Sequence, residues 1–110
     1  MGGTSGMGWA AAKKFVDEGA RVICVGKPNE IAIEDGNITT LFADAREAST
    51  MTKAIALCIE KYGSFDGLLH VAGGSGRSFG DGPLDQMSLD GWNQTMELNA
   101  TTVMLSNKAA

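Results

Sequence analysis

The first residues of the chain carry the pattern best suited to binding a ligand. Gly2, Gly6 and Gly8 are spaced as G-x-x-x-G-x-G and lead into a segment with helical periodicity. A loop that wraps a pyrophosphate must bring its backbone close to the ligand, and side chains would block that approach. The first helical turn then offers free N–H groups and the positive end of the helix dipole. The pattern predicts a dinucleotide-binding loop; the alternative is a glycine-rich turn without a ligand.

A lysine occupies the position where dinucleotide-binding proteins often carry an acid. The first apolar run ends in Gly26-Lys27-Pro28, and no acidic residue lies between Gly19 and Asn29. A carboxylate there would bond the ribose 2′-OH and repel a 2′-phosphate, whereas a lysine attracts the phosphate. Lys27 therefore favours NADP over NAD, unless it is an ordinary solvated lysine.

The remaining reactive side chains form no catalytic cluster in the sequence. Tyr62 is the only tyrosine and has no lysine four residues after it, so we assign it to the core or the surface. His70 is the only histidine and lies in an apolar run, which is typical of a hydrogen-bonded core residue rather than a general base. Cys24 and Cys58 form no C-x-x-C pair, so we expect two free thiols and no metal site.

Alternating helix and strand patterns must position these residues. Helical periodicity predicts helices at Gly8–Glu18, at Ser49–Tyr62 and from Leu89 to the end. Apolar runs predict strands at Arg21–Gly26, Ile38–Ala43 and Leu68–Ala72, and polar or glycine-rich loops at Lys27–Asn37 and Gly73–Met87. This order predicts an α/β fold with a parallel sheet and right-handed crossovers.

Four landmarks together resemble the short-chain dehydrogenase/reductase family. The first eight residues are similar to its T-G-x-x-x-G-x-G fingerprint, with Met1 in place of the threonine. Asp44-Ala45 resembles the family's Asp-hydrophobic pair beside the adenine ring, and His70-Val71-Ala72-Gly73 occupies the place of N-N-A-G. Trp92 and Asn99 match the long helix that carries a structural and catalytic asparagine. The landmarks follow the family's order over nearly the whole chain.

The resemblance implies an NAD(P)-dependent oxidoreductase that interconverts a carbonyl and an alcohol on a Rossmann-type doubly wound parallel sheet. Asn99 is the implied catalytic residue, holding a water of the proton relay. The cofactor-binding residues, with Lys27 added from the reasoning above, are Gly2, Thr4, Ser5, Gly6, Met7, Gly8, Lys27, Asp44, Ala45, His70, Ala72 and Gly73.

The resemblance also implies that residues 1–110 are a partial NAD(P)-binding Rossmann domain. The family's serine and Tyr-x-x-x-Lys motif would lie after Ala110, so we expect the chain alone to be inactive. The family's first strand would precede Met1, which leaves a gap between the strands from Arg21 and Leu68. We therefore expect the isolated chain to be unstable, oligomeric or strand-swapped, because unpaired buried backbone groups each cost roughly 1–3 kcal/mol.

The composition of the chain restricts the classes of molecule that it could bind. The net charge of −4 without a basic cluster argues against nucleic acid, and no apolar run approaches the roughly 18 residues of a membrane span. We expect a small-molecule carbonyl or alcohol substrate, a cytoplasmic location and, by resemblance, a homo-oligomeric parent. The alternatives are a non-catalytic dinucleotide-binding or regulatory module, and an interaction protein that has lost the ligand.

Overall fold

The computed structural model describes residues 1–28 and 36–110. Its first four elements are α1 (Gly6–Asp17), β1 (Val22–Gly26), β2 (Ile38–Phe42) and α2 (Ser49–Tyr62). A short 3₁₀ turn at Arg77–Phe79 follows. The chain closes with α3 (Leu89–Met96), a π-helical turn (Glu97–Thr101) and α4 (Thr102–Ala109), which we call together the C-terminal helix. This order confirms the predicted α/β alternation; most of the predicted loop Lys27–Asn37 lies outside the described residues.

The two strands form a parallel sheet. Val22 pairs with Ile38, and the register continues to Gly26 beside Phe42. The two strands are rich in β-branched and apolar residues, as expected of a strand that is covered on both sides. The pairing of the two strands confirms the predicted parallel strand direction.

Helices cover both faces of this sheet. Cys24 packs with Ala12 of α1 on one face, and its neighbour Val25 packs with Met51 and Ala54 of α2 on the other. Successive strand residues point to opposite faces, so one short strand contributes to two apolar clusters. This arrangement confirms the doubly wound Rossmann-type expectation, with an incomplete sheet.

The predicted third strand at Leu68–Ala72 is not a strand in the described structure. The segment pairs only with Met1, whose amino group donates to Leu69 O at 2.9 Å and whose carbonyl accepts from Val71 N at 3.0 Å. The N–H groups of Gly2 and Gly3 both donate to Val25 O, at 2.8 and 3.0 Å. Met1 thus pairs with the 68–72 segment in a parallel manner while Gly2 and Gly3 bond β1, and one paired residue is too little for a ladder.

A cavity of about 510 Å³ continues from Met1 between β1 and the 64–71 segment. Its lining includes Phe15 of α1, Val22 and Ile23 of β1, Met51 of α2 and Leu69. The cavity lies where a strand between β1 and the 68–72 segment would run.

None of the helices in the described ranges is long and apolar enough to cross a membrane.

Candidate functional site

The predicted site residues gather at one edge of the sheet. Because β1 and β2 are parallel, their carboxyl ends meet there, and Ala43 N donates to Gly26 O at 2.9 Å just beyond the ladder. Lys27 follows β1, and Asp44 follows β2. Gly73 follows the extended 68–72 segment on the other side of the glycine loop. This is the edge at which open α/β sheets bind their ligands.

Three glycines allow the glycine loop (residues 2–8) to pack closely against the sheet and itself. A Cβ on Gly2 would lie 2.8 Å from Ala72 N, and a Cβ on Gly3 would lie 3.0 Å from Cys24 Sγ. A Cβ on Gly8 would overlap the Gly2 carbonyl oxygen. Larger residues at these positions would push the loop and α1 away from the carboxyl edge.

The N-terminus of α1 is open to an anion. Ser5 is the N-cap residue, has extended backbone geometry and makes no side-chain capping bond. Gly6 adopts a φ of 51°, which favours glycine, and the first turn carries no acidic residue. Ser5, Gly6 and Met7 are exposed, whereas Thr4 is half-buried. The first-turn N–H groups and the positive helix end therefore face solvent without a competing carboxylate.

Asp44 is paired with an arginine that the sequence did not single out. Arg46 N donates to Asp44 Oδ1 at 2.9 Å, and Arg46 Nε lies 3.1 Å from both carboxylate oxygens. The hydrogen bonds from Arg46 lower the pKa of Asp44 below its ordinary value of 3.8. The Asp44 carbonyl accepts from Thr50 Oγ1 at 2.6 Å, which ties this turn to the start of α2. Arg46 Nη2 also donates to Asp44 Oδ2, so the arginine occupies both oxygens of the carboxylate.

Lys27 contributes positive charge to the same corner. It is exposed, and its charge also lowers the pKa of Asp44, although less than Arg46 does. Ala45 is half-buried and packs against the apolar cluster of α2. Two cations, Lys27 and Arg46, therefore flank the Asp44 carboxylate, and the carboxylates of Glu47 and Glu97 also act on Arg46.

The His70 ring faces the C-terminal helix. Its Nδ1 lies 3.0 Å from Ser106 Oγ, and its Nε2 lies 3.0 Å from Ala72 O and 3.3 Å from Thr102 Oγ1. Burial lowers the pKa of His70 below 6.5. The ring is thus a hydrogen-bonded interior group, as its apolar surroundings in the sequence indicated.

The C-terminal helix holds the glycine-rich loop after Gly73. Asn99 Oδ1 accepts from Gly74 N at 3.0 Å, and Asn99 Nδ2 donates to Gly74 O and Thr95 O, both at 2.9 Å. The loop and the helix also pack closely at two glycines. A Cβ on Gly76 would overlap Thr95 Oγ1, and a Cβ on Gly91 would overlap the Phe79 carbonyl oxygen. Asn99 lies within the π-helical turn, and such turns occur frequently at functional sites.

Tyr62 lies away from this edge. Its hydroxyl is 3.0 Å from Thr39 Oγ1 near the beginning of β2, and its ring stacks under the Arg21 guanidinium at 5.2 Å. Both partners belong to the amino-terminal edge of the sheet, opposite the glycine loop. The position agrees with a structural role.

Within the described ranges, no group of three or more His, Cys, Asp or Glu side chains could hold a metal.

Sequence reasoning missed four polar residues around the site, and each left a weak signal. Arg46 follows Asp44 at the spacing of a local side-chain turn. The other three share a helical face with Asn99 through steps of three or four, a pattern as common on ordinary solvated helices. They are Thr95, Thr102 and Ser106.

The family profile described as enoyl-(acyl carrier protein) reductase matches residues 2–110. The chain is 33% identical over 118 aligned residues to 2,5-dichloro-2,5-cyclohexadiene-1,4-diol dehydrogenase LinX of Sphingobium indicum, covering 99% of this chain and 45% of that protein. It is 32% identical to serine 3-dehydrogenase of Agrobacterium fabrum, covering 94% and 42%. The chain thus spans less than half the length of these relatives.

A solved short-chain dehydrogenase from Bacillus anthracis superposes with a TM-score of 0.81 at 31% identity, covering 98% of this chain and 46% of that one. The family uses a nicotinamide dinucleotide cofactor. Profile, relatives and fold agree with the glycine loop, the Asp44 turn and the Asn99 helix: the chain belongs to the short-chain dehydrogenase/reductase family.

Proposed function

We propose that the protein containing this chain is an NAD(P)-dependent oxidoreductase that interconverts an alcohol and a carbonyl, and that residues 1–110 form much of its cofactor site. The observation that carries this proposal is the cradle in which Gly2, Gly3 and Gly8 make backbone contacts that a Cβ would block, beneath an uncapped helix N-terminus. The names of the diol and serine 3-dehydrogenases support chemistry at a hydroxyl-bearing carbon.

The residues present fit a nicotinamide dinucleotide. The loop of Gly2, Thr4, Ser5, Gly6, Met7 and Gly8 would hold the pyrophosphate, with α1 presenting its N–H groups. Asp44 and Ala45 would bond the adenine, and Ala72 and Gly73 would line a ribose, with His70 behind them. The bound cofactor supplies or accepts the hydride at its nicotinamide ring.

We propose NADP over NAD because of the cations at the corner after β1 and β2. Lys27 is exposed there, and Arg46 lies against Asp44 with an exposed guanidinium. A 2′-phosphate carries negative charge that the exposed Lys27 attracts, and Arg46, which uses Nε and Nη2 on Asp44, keeps further guanidinium N–H donors for phosphate oxygens. The Asp44 carboxylate is neutralised by Arg46, so it opposes a phosphate less than a free acid would.

Asn99 remains our candidate catalytic residue in the complete enzyme. Every polar atom of its amide is engaged with Gly74 or Thr95. These bonds fix both the asparagine and the loop beside the 68–72 segment. We propose that the π-helical turn places Asn99 at the reacting end of the cofactor cleft, where it would organise a water for proton transfer.

We further propose a cytoplasmic location and a homo-oligomeric parent. Cys24 and Cys58 are free thiols, which suits a reducing compartment. Exposed Trp92, Met96, Val103 and Met104 along the C-terminal helix suit a contact between subunits.

The test is a kinetic comparison of the complete polypeptide with NADPH and NADH, using carbonyl compounds that include the oxidised forms of diols and of 3-hydroxy amino acids. Lys27→Glu should move the NADPH-to-NADH ratio of kcat/KM toward NADH by about tenfold or more, since tenfold corresponds to 1.4 kcal/mol. Lys53→Glu, which changes an exposed lysine of α2, should leave the ratio unchanged.

An unchanged ratio in Lys27→Glu would contradict the role of Lys27. Dinucleotide binding without turnover by the complete polypeptide would favour the alternative of a non-catalytic binding module. Absence of any dinucleotide binding by the folded protein would favour an interaction protein.

A further inference from the structure

The His70 ring connects the end of the 68–72 segment to the C-terminal helix. We infer that His70 is a positioning residue, which acts with Thr102 and Ser106 to fix the orientation of the Ala72–Gly73 peptide at the cofactor cleft. The inference rests on the proposed function, because it assigns that peptide to the wall of the nucleotide site.

The two hydroxyls of the network are buried, the His70 ring is half-buried, and all three side chains are hydrogen-bonded. Thr102 and Ser106 have 0% and 1% of their surface exposed, although both are polar. The described structure leaves no buried side-chain nitrogen or oxygen without a partner. Buried hydroxyls on a helix must find acceptors and donors, and the imidazole meets this need for both residues.

The contacts fix which nitrogen of His70 carries the proton. Ala72 O is only an acceptor, so Nε2, at 3.0 Å, must carry a hydrogen. Thr102 donates its own hydroxyl hydrogen to Leu98 O at 2.8 Å, so its oxygen can only accept at the longer 3.3 Å contact, where it shares the single Nε2 hydrogen with Ala72 O. In the neutral ring, Nδ1 is then an acceptor, and Ser106 Oγ donates to it at 3.0 Å.

This tautomer determines how the Ala72–Gly73 peptide is turned. With Ala72 O held toward His70, the trans peptide directs the Gly73 N–H to the opposite side. None of the described residues accepts a hydrogen bond from that N–H, and Gly73 is exposed. His70 therefore presents a backbone donor to the space outside the segment, next to where Ala72 contacts Gly2.

The same helix face positions the next residues of the wall. Leu98, which accepts from Thr102, immediately precedes Asn99 in the π-helical turn. Asn99 Oδ1 lies 2.8 Å from where a Cβ on Gly73 would stand, and the amide clamps Gly74. Ser106 and Thr102 thus hold His70, which bonds Ala72 O, and Asn99 holds the Gly74 peptide directly.

The first experiment is an NMR measurement of the imidazole nitrogens in the complete polypeptide labelled with ¹⁵N-histidine, with the His70 signals assigned by their loss in His70→Gln. His70 is the only histidine of these 110 residues. Above the His70 pKa we expect Nε2 protonated and Nδ1 unprotonated. A ring protonated at Nδ1 instead would overturn the inference.

The second experiment separates positioning from packing. Glutamine can donate from the place of Nε2, so His70→Gln should keep NADPH affinity within about twofold, whereas His70→Leu should weaken it about tenfold. Ser106→Ala removes the donor to Nδ1, so it should shift the Nδ1 signal and weaken NADPH affinity by about threefold, less than His70→Leu does. Thermal unfolding identifies any variant that fails to fold.

Equal losses in the Gln and Leu variants would show that the ring acts only by filling space, and unchanged affinity in a folded His70→Leu would show that it has no role in binding. Wild-type protein that binds no NADPH would instead overturn the proposed function and this role with it, whatever tautomer His70 adopts.

Discussion

At the scale of single residues, the site depends on small groups whose neighbours leave little space. Gly8 packs against the Gly2 carbonyl, and Asn99 uses both ends of its amide on one glycine peptide. Asp44 organises its turn through Arg46 while facing the cleft edge. Each residue type follows from a specific contact, because neither a Cβ nor a shorter polar side chain would serve in the same position.

Asp44→Asn should reduce stability in a pH-dependent manner. The pKa of Asp44 is lowered in the folded chain by its hydrogen bonds from Arg46, so its ionisation stabilises the fold above the unfolded pKa of about 3.9. This contribution is lost as the pH falls through the folded pKa. Because the pair is partly exposed, we expect a loss below about 1 kcal/mol at neutral pH.

The measurement is urea unfolding of both proteins near neutral pH and near pH 3 or below, with Glu60→Gln of α2 as a control for removal of an exposed carboxylate. The difference between wild type and Asp44→Asn should shrink toward acid pH. A difference that stays constant with pH would contradict the ion pair as its source.

At the scale of elements, the sequence predicted those helices and strands whose bounds are marked by nearby residues. The bounds of α2 were predicted as observed, because its apolar face and the glycine after Tyr62 both mark them. The 68–72 segment failed as a strand because strand assignment needs a partner, and only Met1 lies alongside. The π-helical turn had no local signal in the sequence, and neither had the hydrogen bonds by which Asn99 within it holds Gly74.

The site likewise contains residues that local sequence patterns predicted and contacts that they did not. Motif spacing placed the glycine loop, Lys27 and Asp44 at the carboxyl edge, because parallel strands bring their ends together. It could not supply the pairing of Arg46 with Asp44 or of Ser106 with His70, which arise from tertiary packing.

Gly63→Ala should destabilise the end of α2. Gly63 has a φ of 88° and its N–H donates to Ile59 O at 2.8 Å, the geometry of a left-handed C-cap. A Cβ on Gly63 would meet no atom within 4 Å, so the penalty is conformational, about 1 kcal/mol. Gly67→Ala, which has the same open space without the positive φ, should change unfolding free energy by less than about 0.5 kcal/mol. Equal effects in chemical denaturation would contradict the C-cap assignment.

At the scale of the whole molecule, the sheet is open beside Met1. The amino group of Met1 donates to Leu69 O, as the N–H of a strand residue would, and burial lowers the pKa of this amino group. The cavity of about 510 Å³ continues this line between β1 and the 64–71 segment. A peptide N–H at Met1 would make the same bond to Leu69 O without burying a charge.

An apolar extension of about five residues before Met1 should stabilise the chain, because that length matches a typical strand. A β-branched extension should raise the melting temperature by several degrees relative to a Gly/Ser extension of equal length, since each 1 kcal/mol shifts a domain of this size by about 4–8 °C. Calorimetry of the two extended chains checks this. Equal melting temperatures would show that the cavity does not accept a strand.

The most direct test of the account is calorimetric titration of the complete polypeptide with NADPH, comparing wild type, Gly8→Ala and Gly36→Ala. A Cβ on Gly8 would overlap the Gly2 carbonyl, whereas one on Gly36 meets no atom of residues 1–28 and 36–110 within 4 Å. We predict one binding site in the wild type, retained in Gly36→Ala and weakened at least about tenfold in a folded Gly8→Ala, a loss of 1.4 kcal/mol or more. NADPH binding of equal strength in all three proteins would contradict the assignment of the glycine loop as the cofactor cradle.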